Sequence, residues 1–204
     1  MIRNKKINNC LNSTEKHHLD VRNNKLLGFW IYLMSDCIIF AILFAVYAIY
    51  SSSVSKYLIH LNFFKLSFIL LETFILLISS LSCGIMGIAV SKKEIKKFFL
   101  YLFLTFVLGL LFVCMESYEF YELVMKNLGP SRHAFFSAFF TLVGIHGLHV
   151  FFGLMWILTI FYQVKKIGFT DCVCTRITCF SFFWHFLDII WVCVFTFVYL
   201  NGVI

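Results

Sequence analysis

The chain has 204 residues, of which 61% are hydrophobic and 20% aromatic, only 13% are charged, and the mean hydropathy is +0.91. A soluble domain is roughly 45–50% apolar, so the balance excludes a water-soluble globular enzyme and makes lipid the solvent. The formal net charge of +7 is no signature of nucleic-acid binding, because a basic excess in a membrane protein reports which helix ends face the cytoplasm.

Residues 1–25 are polar, rich in Asn and Lys and without apolar periodicity, the pattern of a mobile cytoplasmic tail with no chemistry of its own. The first apolar run starts near Leu26 and continues to Tyr50, too long for a signal-peptide core, so the N-terminus is expected to be retained. Four further runs follow at about 66–90, 98–122, 134–162 and 177–200. At 1.5 Å per residue each can cross a hydrocarbon core of about 30 Å. The expected fold is therefore all-α, with residues 26–204 forming a polytopic bundle of five transmembrane helices. None of the runs alternates in polarity as a barrel strand does, and no internal repeat suggests an inverted-repeat transporter.

Thirteen of the seventeen Lys and Arg residues lie in the N-terminal tail, the 91–97 loop and the 163–176 loop. The remaining four, Lys56, Lys65, Lys126 and Arg132, lie in the intervening loops. The positive-inside rule then places the N-terminus in the cytoplasm and Ile204 outside. Of the eight cysteines, Cys37, Cys83, Cys114, Cys179 and Cys193 fall in apolar runs, where a thiol acts as a small hydrophobe. Cys172 and Cys174 form an isolated C-x-C pair in a short loop, without the second pair a zinc site needs.

Ionisable residues within the spans are costly unless they face protein, water or a partner. They are Asp36, Glu72, Glu116, Glu119, His146, His149, His185 and Asp188. On a helical projection Tyr32, Asp36, Tyr47 and Tyr50 share a face of the first helix, and Glu72, Ser79 and Cys83 a face of the second. On the fifth, Thr178, Ser181, His185, Asp188 and Thr196 fall in a narrow arc, so His185 and Asp188 at i,i+3 are candidates for a direct pair. The fourth carries His146, His149 and Gly153 on one side and Ser137, Thr141 and Gly144 on nearly the opposite one, which predicts contact on both.

The residues leave three readings open. A metal enzyme would use His146, His149 and His185 with a carboxylate, but H-x-x-H is not the H-E-x-x-H of metalloproteases. An independent proton or ion transporter would use the buried acids and histidines as a relay. A scaffold would use them for hydrogen bonds between helices and to bound lipid. Nothing resembles a haem pair, a nucleotide loop or a nucleophile elbow.

Several longer strings resemble one family: GFWIYLMSDCIIF at 28–40, LLETFILL at 70–77, MESYEFYEL at 115–123, GPSRHAFFSAFFTLVGIHGLHV at 129–150 and FFWHFLDIIWVCVFTFVYL at 182–200. In this order they resemble subunit III of the haem-copper oxidases, and the five-span length resembles the bo-type quinol oxidase branch. Cytochrome c oxidase relatives carry seven helices, and their subunit III is the alternative within the family. The resemblance implies an accessory subunit without catalytic residues, metal or cofactor. It would dock on the catalytic subunit I and other subunits of a proton-pumping oxidase in the bacterial inner membrane, in a hetero-oligomer that holds phospholipid and binds no nucleic acid. Asp36 takes the place of a buried carboxylate that is usually Glu in mitochondrial-type relatives. Glu116 and Glu119 match the family's acidic pair, His146 and His149 its H-G-L-H, and His185 and Asp188 its W-H-F-x-D, none of them a redox ligand there.

Overall fold

The computed structural model describes the backbone of residues 2–58, 66–125 and 134–200, and the side chains of 21–51, 67–125 and 134–198. Five α-helices follow in order: α1 (Ile2–Leu58), α2 (Leu66–Ser91), α3 (Ile95–Met125), α4 (Ala134–Ile167) and α5 (Asp171–Val194). A π-helical turn at Phe195–Leu200 continues α5. All five contain a stretch long and apolar enough to cross a membrane. Within the described residues the chain forms two compact units, 1–37 and 38–204.

The helices are longer than the apolar runs. Residues 2–24, expected as a mobile tail, are helical and belong to α1. The segment contains no Pro and no Gly before Gly28, and Lys, Arg and Glu lose little rotamer freedom in a helix, so hydropathy underestimates its helical tendency. Likewise Cys172 and Cys174, expected in a loop, sit in the first turn of α5 as free thiols.

Two short turns tie antiparallel neighbours together. After α2 the amide of Lys93 bonds the Val90 carbonyl and that of Glu94 the Ala89 carbonyl, the paired bonds of a Schellman stop. Its left-handed position is Lys93, at φ 56°. After α4 the stop is Gly168, at φ 76°, whose amide bonds the Val164 carbonyl. Thr170 then caps α5 by accepting from the Val173 amide. The rings of Phe98 and Phe169 meet edge to face at 5.3 Å, so both turns lie at one end of the second unit.

In that unit α2 neighbours α3 and α5, and α4 neighbours the same two, which closes a ring of four antiparallel helices. Trp184 and Trp191, both on α5 and fully buried, fill its centre. The part of α1 from residue 38 onward joins through aromatic side chains: Phe40 on His149, Phe44 on Phe197 and Tyr47 on Phe135. Leu, Ile and Phe side chains cover the outward faces of the helices, as lipid requires.

Candidate functional site

Helix α2 is the polar hub of the ring. Ser79 accepts a hydrogen bond from the Trp184 indole at 3.1 Å, and Thr73 accepts one from the Trp191 indole at 3.2 Å. The Ser82 hydroxyl donates to the Tyr101 carbonyl of α3, and Thr105 donates to Ser82. Ser80 shares a 2.7 Å hydrogen bond with His185 Nδ1. Thr73 and Thr105 also donate to carbonyls of their own helices, at 2.9 and 2.8 Å, so their oxygens serve both the helix and its neighbour, which is how polar groups hold a bundle together in lipid.

Trp184 fits because glycines face it from two helices. A Cβ on Gly109 of α3 would lie 2.9 Å from the indole, and one on Gly153 of α4 would lie 2.8 Å from it. A third glycine, Gly147, makes room for the Glu116 carboxyl group, whose oxygens would stand 2.5 and 2.8 Å from an added Cβ. Sequence reading singled out Gly153 but missed Gly109, Gly147 and both tryptophans. The signal was a set of glycines inside helices, where the residue is costly unless something packs closely against it.

Glu72, Glu116, Glu119, His146 and Asp188 are all buried. His146 has no exposed surface and stacks on Trp191, its ring centroid 5.1 Å away, with Phe112 edge-on. Its Nε2 donates to the Leu187 carbonyl of α5 at 3.3 Å, which places a proton on that nitrogen, and Nδ1 is buried without a hydrogen-bond partner. His149 is half-buried; its Nδ1 donates to the Ile145 carbonyl of its own helix, and its ring lies against Phe40 and Phe183. In the first unit Asp36 is buried at 6% exposure and hydrogen-bonds Tyr32.

The structure differs from expectation at three places. His185 and Asp188 do not pair: His185 turns to Ser80, and neither Asp188 oxygen has a hydrogen-bond partner. The expected face of α1 is also off by part of a turn. Leu33, Asp36, Phe40 and Tyr47 form the buried stripe, whereas Tyr32 and Tyr50 are exposed. On α4 and α5, Thr141, Thr178 and Thr196 bond carbonyls of their own helices and lie exposed. The Ser137–Thr141 side of α4 nevertheless borders a groove of about 200 Å³ with Leu43, Val46 and Tyr50 of α1.

Among the described residues no three His, Cys, Asp or Glu side chains converge as a metal site would. The hydroxyls of α2, the two indoles, His146 Nε2 and His185 bond between helices, whereas both oxygens of Glu72 and of Asp188 are buried without a hydrogen-bond partner.

Comparison with known proteins decides the family. The model of the family described as cytochrome c oxidase subunit III matches residues 4–203. The chain belongs to that family. It is 60% identical to the cytochrome bo(3) ubiquinol oxidase subunit 3 of Buchnera aphidicola subsp. Acyrthosiphon pisum over 205 aligned residues, covering all of both chains. The protein of that name in Pseudomonas putida is 46% identical, with 88% of this chain and 86% of that one aligned. Quinol oxidase subunit 3 of Bacillus subtilis is 35% identical over 94% of each. A cytochrome c oxidase subunit 3 from Alkalihalophilus pseudofirmus is 37% identical over 88% of each chain.

Proposed function

We propose that the chain is the accessory, non-redox third subunit of a proton-pumping terminal quinol oxidase in a bacterial inner membrane. In this role it braces the catalytic subunit and retains phospholipid at the interface. The observation that carries the reading is the 60% identity, over the full length of both chains, to a subunit 3 named for a bo(3) ubiquinol oxidase. The fold supports it: a ring of helices tied by tryptophans and hydroxyls offers outer faces for docking. The exposed Leu, Ile and Phe on its outer faces suit lipid and neighbouring subunits.

The charge distribution supports a cytoplasmic N-terminus and a periplasmic C-terminus. A reporter fused after residue 201 is expected to read as periplasmic, and a cytoplasmic readout would overturn the orientation. The role is tested by purifying the tagged chain in mild detergent. Haem-bearing partner subunits are expected in the absorption spectrum and by mass spectrometry. A chain that purifies without them and moves ions alone in liposomes would be a transporter instead.

A further inference from the structure

Where α2, α3 and α4 approach one another, buried acceptors accumulate without a donor. Both oxygens of Glu72, one oxygen of Glu116 and Nδ1 of His146 are buried and have no hydrogen-bond partner. Glu72 has no exposed surface and Glu116 only 3%. Gly147 seats the Glu116 carboxyl against the α4 backbone, and Glu72, Glu116 and Glu119 lie within electrostatic reach of one another. Glu72 is about 9 Å along the axis from the start of α2, and Glu116 about 14 Å from the end of α3, so both are in the same half of the ring.

Three means could offset such charges. Among the described residues no basic side chain is within reach: Lys92, Lys93, Lys96, Lys97, Lys165, Lys166 and Arg176 of α2–α5 and their turns belong to the opposite end, and the three unpartnered carboxyl oxygens bond no donor. A metal ion lacks a converging ligand set among the described residues. A proton remains, and it also supplies a hydrogen-bond donor among acceptors that have none. We infer that Glu72 and Glu116 form a buried proton-holding site in which at least one is a carboxylic acid at neutral pH, its O–H donating to a neighbouring acceptor. The described groups facing this site are Glu119 and the half-buried Glu122 of α3, His146 of α4 and, two turns along α2 beside Ser80, Asp188 of α5. None of these is a Lys or Arg. The site does not depend on the accessory role.

Infrared difference spectroscopy of the assembled complex tests it. Wild type minus Glu72→Gln/Glu116→Gln is expected to show a carboxylic-acid C=O band that shifts down in D2O. A difference containing only the two carboxylate stretches would mean that both groups are ionised and would overturn the inference. The single variants E72Q and E116Q are read in the same way, so a double variant that fails to assemble does not decide the matter. Gly147→Ala keeps both glutamates but presses on the Glu116 carboxyl. It is expected to displace the acid band, and carboxylate features alone would again count against the site. Loss of co-purifying partners in wild type bears on the accessory role, whereas the band bears only on this site.

Discussion

Trp184 shows how single residues hold the ring. Its indole lies between Gly109 and Gly153 and donates to Ser79, so three helices register on one side chain of the fourth. Gly153→Ala or Gly109→Ala places a methyl group about 3 Å from the ring, and overpacking of this kind costs about 1–3 kcal/mol. Unfolding of the purified chain in micelles should show that loss for both variants, while Gly87→Ala, with nothing within 4 Å of the added carbon, should be near neutral. The acids and histidines were legible as a set, because ionisable residues stand out in apolar runs. Their partners were not. His185 finds Ser80 through the packing of α2 on α5, and a projection of α5 alone offers only polar neighbours of its own helix, such as Ser181 and Asp188. For the same reason Trp184 passed as one more aromatic: its importance lies in two glycines far away in sequence.

At the level of elements, hydropathy locates the spans, and the polar end turns decide where the helices stop. Lys93 adopts a left-handed conformation that costs a side-chain-bearing residue about 1 kcal/mol. Lys93→Gly should therefore stabilise the α2–α3 turn by about that amount, read as slower hydrogen exchange at Lys92–Glu94. Thr170→Ala removes the α5 cap and should cost about 1 kcal/mol, read as fraying of the first turn that holds Cys172 and Cys174. Next to Lys93, Glu94 bonds Lys97 at 2.7 Å, which holds its carboxyl below the usual carboxylate range. A depressed folded-state value contributes stability above the unfolded carboxylate range and loses it as pH falls through the folded value. The turn should therefore loosen on the acid side, with the effect weakened by salt because both side chains are solvated. Hydropathy missed the helical start of α1 because a polar helix carries no apolar period.

On the scale of the second unit, the five spans and their alternation follow from sequence, but the order around the ring does not. Any of several neighbours could satisfy the same apolar faces. The order is specified by particular fits, such as Trp191 on Thr73 and Phe112, His146 on the Leu187 carbonyl, and His149 between Phe40 and Phe183. Those contacts are interhelical, and none touches a group that could accept an electron. They predict how the histidines behave in an assembled oxidase. His185→Ala strands the Ser80 hydroxyl, and His149→Ala opens space between α1, α4 and α5. Each should cost about 1–2 kcal/mol, the scale of an interhelical hydrogen bond in a membrane. That is enough to lower the amount of this subunit retained on purification, and too little to change turnover at a haem site in another chain. The measurement is oxygen consumption per haem alongside subunit retention in complexes carrying each variant. Retention should fall in both while turnover in complexes that keep the subunit stays within about twofold of wild type, since each 1.4 kcal/mol at the reacting groups would be tenfold in rate. Normal retention with turnover reduced a hundredfold would place these histidines in proton delivery or catalysis and end the accessory reading.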